Sequence, residues 1–208
     1  RANTIEFRVE PAQIASFLAQ PYRQVMLGSL SGNGQHYSSE FVRKATSDKA
    51  EVEISRQLTL ELQLLFEVLS HYGLEFGFRT VSEFIKFRKA YFVLEPTTAT
   101  DSLILDAQVL QKVLPRLNGS RRKLEGPLCA LASLCVAQRN WGGADQLENR
   151  DELWEAALQA GKLMEPRLHP LANDFDGVEN AVMPKTLSKI RRMLKRLDEE
   201  GFASFAEA

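Results

Sequence analysis

A chain of 208 residues that is 44% hydrophobic and 25% charged is neither disordered nor membrane-embedded in composition, and no apolar run approaches the ~20 residues of a membrane span. A net charge of −1 gives no bulk attraction for nucleic acid or membranes, so any such contact must come from a local patch. Cys129 and Cys135, six apart in an apolar segment, form neither a disulfide framework nor a zinc spacing; they read as small core residues, for which a reducing cytoplasm is the natural setting.

The chain begins at Arg1 without an initiator methionine and with strand-like sequence directly behind it, the expectation for a piece of a longer protein. TIEFRV, residues 4 to 9, alternates Ile5, Phe7 and Val9 with Glu6 and Arg8 and predicts a short half-buried strand. Pro11 suits the first turn of a helix over 11 to 19 with Ile14, Phe17 and Leu18 on one face; Pro21 ends it. From Leu27 to about Ala50 the Gly-, Ser- and Asn-rich sequence reads as a long connection, and His36 within it as a solvated loop histidine.

Residues 53 to 72 carry an apolar stripe of Ile54, Leu58, Leu62, Leu65 and Leu69. Leu60, Leu64, Phe66 and Val68 widen it to almost the whole circumference, so this helix must be central, with Gly73 as its C-cap. Thr80 and Glu83 have capping-box spacing, which predicts Thr80 as the N-cap of the next helix, Val81 as its first residue and Arg79 just outside it. A helix dipole opposes a cation there, and free N–H groups beside it suit an anion such as phosphate; a solvated corner arginine is the alternative. This helix carries Val81, Phe84, Ile85, Phe87, Tyr91 and Phe92 and stops before Pro96.

Asp101 is the expected N-cap of a third helix, with Leu103, Ala107, Leu110 and Leu114 inward and Asn118–Gly119 at its end. Ser120 opens another, which the Gly126–Pro127 pair is expected to kink or restart. Arg121, Arg122 and Lys123 fall in its first turn, where the dipole disfavours cations, so they read either as a site for a phosphate or acidic partner or as a solvated basic turn. Residues 139 to 148 read as a loop. Asn149 and Glu152 predict a capping box for a helix lined by Leu153, Ala156, Ala160 and Leu163. His169, in an irregular stretch, reads as structural. The last helix, Pro184 to about Glu200, buries Leu187, Ile190, Leu194 and Leu197 and sets Lys185, Lys189, Arg191, Arg192, Lys195 and Arg196 on an outer face. Such a face suits DNA phosphates, an acidic partner, a membrane surface or plain solvation. The terminal GFASF is expected to pack back on the body.

No phosphate loop of the form G-x-x-x-x-G-K-[ST], no H-E-x-x-H, no G-x-S-x-G and no paired Cys or His ligand set occurs, so the chain alone is not expected to turn over a substrate, and no metal site is expected. The residue patterns lead to a mainly α fold with one short N-terminal strand.

Taken together, RANTIEFRV, FGFRTVSEFIKF, LDAQVLQKVLPRLNGSRRKLEGPLCAL and MPKTLSKIRRMLKRLDEEGFASF resemble the C-terminal part of an McrB-like AAA+ ATPase or GTPase of modification-dependent restriction systems, in family order over most of the chain. The resemblance implies that residues 1–27 hold the last strand and helix of an AAA+ core, 28–50 a linker, 51–138 a helical lid and 139–208 a C-terminal helical extension. It also implies that Arg79, with Thr80 beside it, matches the sensor 2 position that touches the γ-phosphate, and that Arg1 matches an arginine finger acting across a subunit interface. ATP or GTP with Mg2+ is then bound by the parent protein and not by this part alone. The implied partners are neighbouring AAA+ subunits, a nuclease subunit and DNA, with no membrane; Arg121, Arg122, Lys123 and the Lys185 to Arg196 face are the candidate contacts. Two rival readings remain: a non-catalytic helical module that binds DNA or protein, and a MoxR-type AAA+ chaperone fragment with protein clients.

Overall fold

The computed structural model describes residues 11–19, 54–95, 97–162, 166–173, 175, 177–206 and 208, and over these the chain is mainly α-helical, as its periodicities predict. Arg1, the strand expected over residues 4–9 and the connection from 27 to 50 with His36 lie outside the described residues.

Helix α1 (Pro11–Ala19) begins on the proline, whose fixed φ and missing N–H suit a first turn, and buries Ile14 and Leu18. It packs on α2 (Arg56–His71), which Ser55 caps by accepting the Leu58 N–H at 3.0 Å. Leu58, Leu62, Leu64, Phe66, Val68 and Leu69 point in several directions around α2 and all are essentially inaccessible, so this helix is central, as its wide stripe demands. A Schellman motif ends it. Gly73 takes φ +66°, its N–H bonds to Ser70 O at 3.0 Å, and the Leu74 N–H bonds to Leu69 O at 3.0 Å.

Helix α3 (Phe78–Leu94) starts three residues before the expected Val81. Gly77 is its N-cap, and Thr80 lies inside the first turn with its N–H on Gly77 O at 3.0 Å. The expected capping box does not form because the Glu83 carboxylate is taken by cations, and charge-assisted bonds outcompete a backbone N–H. Val81, Phe84 and Ile85 are buried, while Phe87, Tyr91 and Phe92 are half-buried.

The cap of α4 (Asp101–Gln108) is Thr100, which accepts the Leu103 N–H at 3.2 Å; Asp101, the expected cap, is the first helical residue. Its carboxylate instead takes Arg88 Nε at 2.6 Å and the Ser55 hydroxyl, tying α4 to α3 and α2. The buried face also differs from expectation: Ile104, Leu105 and Asp106 point inward and Leu103 outward. A π turn (Val109–Val113) and a 3-10 turn (Leu114–Arg116) follow where a regular helix was expected. The change of pitch comes just ahead of Pro115, which lacks an N–H and crowds a regular i−4 carbonyl.

After β1 (Gly119–Ser120), helix α5 (Arg121–Val136) runs unbroken through Gly126 and Pro127, so it does not restart there. The carbonyl that Pro127 leaves unpaired belongs to Lys123, in an exposed turn where water can serve it. Gly126 is present for a different reason. A Cβ there would lie 2.8 Å from Gly161 O, so the glycine admits the close crossing of α6 (Arg150–Gly161). The stretch before α6 is a small hairpin of β2 (Trp141–Gly142) and β3 (Gln146–Leu147). Asn149 makes no capping bond; its Oδ1 accepts the Asn140 N–H at 3.0 Å and its Nδ2 donates to Gln138 O at 2.9 Å, fastening the hairpin. Leu153, Ala157 and Ala160 are buried, whereas Ala156 is exposed and Leu163 lies outside the described residues.

Helix α7 (Pro184–Glu200) is capped from across the fold. Asp106 accepts the Thr186 N–H at 2.8 Å and the Lys185 N–H at 3.1 Å, and the Thr186 hydroxyl returns a bond to Asp106 O at 3.0 Å. Leu187, Ile190, Leu194 and Leu197 are buried as the spacing predicts. Gly201, at φ +72°, ends α7, and β4 (Phe202–Ala203) pairs antiparallel with β1, setting Ala203 opposite Gly119. The terminal segment thus packs back on the body. One continuous apolar core links Ile14 of α1 to Ala203 of β4. No helix among the described residues is long and apolar enough to cross a membrane.

Candidate functional site

Arg79 is the second residue of α3 and its side chain is 93% exposed. Its Nε donates to Glu83 Oε1 at 3.2 Å, one helical turn on, and the other oxygen, Oε2, is 3.0 Å from Lys112 Nζ of the π turn. Hydrogen bonding from Lys112, and secondarily from Arg79, holds the Glu83 carboxyl below the usual carboxylate range. Arg79 therefore uses one of its guanidinium donors on Glu83 and keeps the remainder toward water among the described residues. Thr80 is half-buried, and with its N–H spent on Gly77 O, the side chain of Arg79 is what the corner offers an incoming anion.

The other predicted cations divide into partnered and exposed ones. Arg121 grips Glu125 through two bonds of 2.9 Å and reaches Asp198 of α7 at 3.1 Å, so it is largely committed within the fold. This lowers the Glu125 carboxyl, mainly by the hydrogen bonds from Arg121. Arg122 and Lys123 are exposed. On α7, Lys185, Arg192 and Lys195 are exposed and Arg191 half-buried, while Lys195 and Arg196 lie 3.8 and 2.9 Å from Glu199 and Glu200. Lys189 is not on the outer face. It is only 7% exposed, lies 4.4 Å over the Phe205 ring and donates to Ala208 O. Its spacing explains this: three residues after Thr186 and four before Met193, both buried, it belongs to the inner side of α7. Through Arg121 and Asp198 the fold brings the start of α5 and the end of α7 together, whereas Arg79 and Lys112 form a separate cluster on α3 and the π turn. Arg1 lies outside the described residues.

Sequence reasoning missed a polar cleft of about 270 Å³ lined by Gln57, Glu61, Thr100, Asp101, Gln138, Arg139 and Trp141 among others. At its base Arg139, 5% exposed, is held bidentately by Glu61 at 2.8 and 3.0 Å and donates to the carbonyls of Leu134 and Ala137. Glu61, an acid set between Leu60 and Leu62 on α2, was the available signal. So many fixed partners make this pair a pin between α2 and the end of α5 rather than a proton-transfer site.

Cys129 and Cys135 are buried and His169 is half-buried. Burial pushes the Cys129 thiol up to about 12 and raises that of Cys135 as well. His169 accepts the Leu171 N–H on Nδ1 at 3.3 Å and places Nε2 3.7 Å from Glu125. No cluster of three or more His, Cys, Asp or Glu among the described residues is arranged to hold a metal ion. Among the described residues, Arg79 is a cationic donor that the phosphate oxygens of a nucleotide could take, and none of them forms a phosphate loop.

No curated protein and no solved structure matches the chain. Residues 29–202 match a family model, and on that match the chain belongs to the family described as a domain of unknown function, DUF8727.

Proposed function

We propose that this domain is the helical lid and C-terminal region of a ring-forming, McrB-like AAA+ NTPase of the cytoplasm, in which Arg79 reaches the γ-phosphate of ATP or GTP. The observation that most supports this reading is the corner between α2 and α3. A Schellman turn and an N-cap without a side chain deliver an arginine to the first turn of a helix, exposed and tethered by one hydrogen bond. A guanidinium there gives hydrogen bonds and charge to phosphate oxygens. The bound nucleotide with Mg2+ supplies the phosphoryl group; this chain supplies charge and position, including Arg1 as a finger toward a neighbouring subunit. Arg122, Lys123 and the exposed face of α7 are then the surfaces for a neighbouring subunit, a nuclease partner or DNA during translocation and restriction.

The test is ATP and GTP hydrolysis by the protein that carries this domain together with its phosphate loop, wild type against Arg79→Ala. Removing one charge-assisted hydrogen bond predicts a fall of about 10- to 100-fold. An unchanged rate removes Arg79 from the mechanism.

A second reading, a helical module that binds DNA or an acidic protein without a nucleotide role, draws on the exposed Lys185, Arg192 and Lys195 of α7. It predicts salt-sensitive DNA binding by the domain in the absence of nucleotide.

A further inference from the structure

Glu83 sits between two cations from different elements, and each takes its own oxygen: Arg79 holds Oε1 at 3.2 Å and Lys112 holds Oε2 at 3.0 Å. Both ion pairs exist at once, each on its own oxygen, so one can break while the other stays made. Breaking them has unequal consequences. Glu83 is only 31% exposed, and a carboxylate stripped of both partners there would lose its compensation, whereas Arg79, at 93% exposed, loses little on leaving it. Lys112 owes its position to the π turn, which adds a residue to the turn and redirects the side chains that follow, a device frequent at functional sites.

Resting on the reading of Arg79 given above, we infer that Lys112 is a positioning residue. By keeping Glu83 neutralised through Oε2, it frees Arg79 to leave Oε1 for the phosphate oxygens of a nucleotide. Without Lys112, Glu83 has Arg79 as its remaining ion partner among the described residues, and the carboxylate competes with the nucleotide for the guanidinium. Glu83 is then a tether whose strength Lys112 sets.

The experiment measures nucleotide hydrolysis by the protein carrying this domain and its phosphate loop, with Arg79→Ala, Lys112→Ala, Lys112→Arg and the double variant Lys112→Ala/Glu83→Gln. Lys112→Ala raises the KM for nucleotide roughly two- to fivefold, the range of an exposed ion pair. Lys112→Arg restores the wild-type KM. Adding Glu83→Gln to Lys112→Ala also restores it, because the competing carboxylate is gone; neutralising Glu83 would relieve a purely structural loss too, so the melting temperature of Lys112→Ala is measured alongside and should match that of the wild type. If Arg79→Ala cripples hydrolysis while Lys112→Ala leaves KM unchanged, or if the double variant is no better than Lys112→Ala, the tether is wrong and the reading of Arg79 stands. If Arg79→Ala changes nothing, both fall together.

Discussion

Asp106 carries one of the longest-range duties of any side chain in the fold. Buried on α4, it supplies α7 with the N-terminal cap that Met183 has no side-chain oxygen to provide, and it accepts from both Lys185 and Thr186. Asp106→Ala leaves the buried Thr186 N–H and the partly buried Lys185 N–H unpaired and is expected to destabilise the domain by about 2 to 3 kcal/mol, read as a lower urea midpoint. Asp106→Asn, which keeps one acceptor, should cost less. Capping is also where the sequence was least legible. Thr80 and Asp101 satisfy the local rules for an N-cap, yet Gly77 and Thr100 fill those roles. The reason is physical: Glu83 and Asp101 make ion pairs with Arg79, Lys112 and Arg88, and two of those partners lie more than ten residues away, beyond any local pattern. Lys189 was legible in principle, since its spacing from Thr186 and Met193 outweighs its charge.

Among the elements, the helices themselves could be read because their apolar stripes are strong. The encircling stripe of α2 announced a buried helix, and the Leu187, Ile190, Leu194 and Leu197 row announced the inner side of α7. The close crossing of α5 and α6 could not be read, because its determinants are two glycines and a tyrosine far apart in sequence. A Cβ on Gly161 would overlap the Tyr72 hydroxyl, and one on Gly126 would press on Gly161 O at 2.8 Å. Gly161→Ala therefore sets two effects against each other. Helix propensity favours alanine by up to about 1 kcal/mol. Overpacking costs about 1 to 3 kcal/mol, and since the Cβ has fixed neighbours the clash should win. Tyr72→Phe, which removes the overlapping hydroxyl, should recover part of the loss in a double-mutant cycle of denaturation midpoints; simple additivity would show that the helices have room to part at this crossing.

At the scale of the whole molecule, a nearly neutral chain exposes positive charge, among the described residues, at the start of α3 and on α7 with Arg122 and Lys123, besides scattered cations such as Arg56, Lys86 and Lys162. Many other cations are consumed internally: Arg139 by Glu61, Arg88 by Asp101, Arg121 by Glu125 and Asp198. If the α7 face meets DNA, Arg191→Glu/Arg192→Glu should weaken binding and flatten the dependence of log K on log salt by about one unit for each phosphate no longer neutralised. Binding that is absent, or that does not respond to salt, would assign the face to solvent or to a protein partner. The role of Arg79 is measured by steady-state ATP and GTP hydrolysis of the protein carrying this domain with its phosphate loop. Wild type, Arg79→Ala and Arg79→Lys are compared, with each melting temperature measured alongside. The expected result is hydrolysis by the wild type, a fall of about 10- to 100-fold for Arg79→Ala and a partial return for Arg79→Lys. Melting temperatures should agree within about 2 °C, since so exposed a side chain contributes little to folding. Equal rates in all three proteins, or no hydrolysis by the wild type, would contradict the claim and leave Arg79 as a solvated residue at a helix corner.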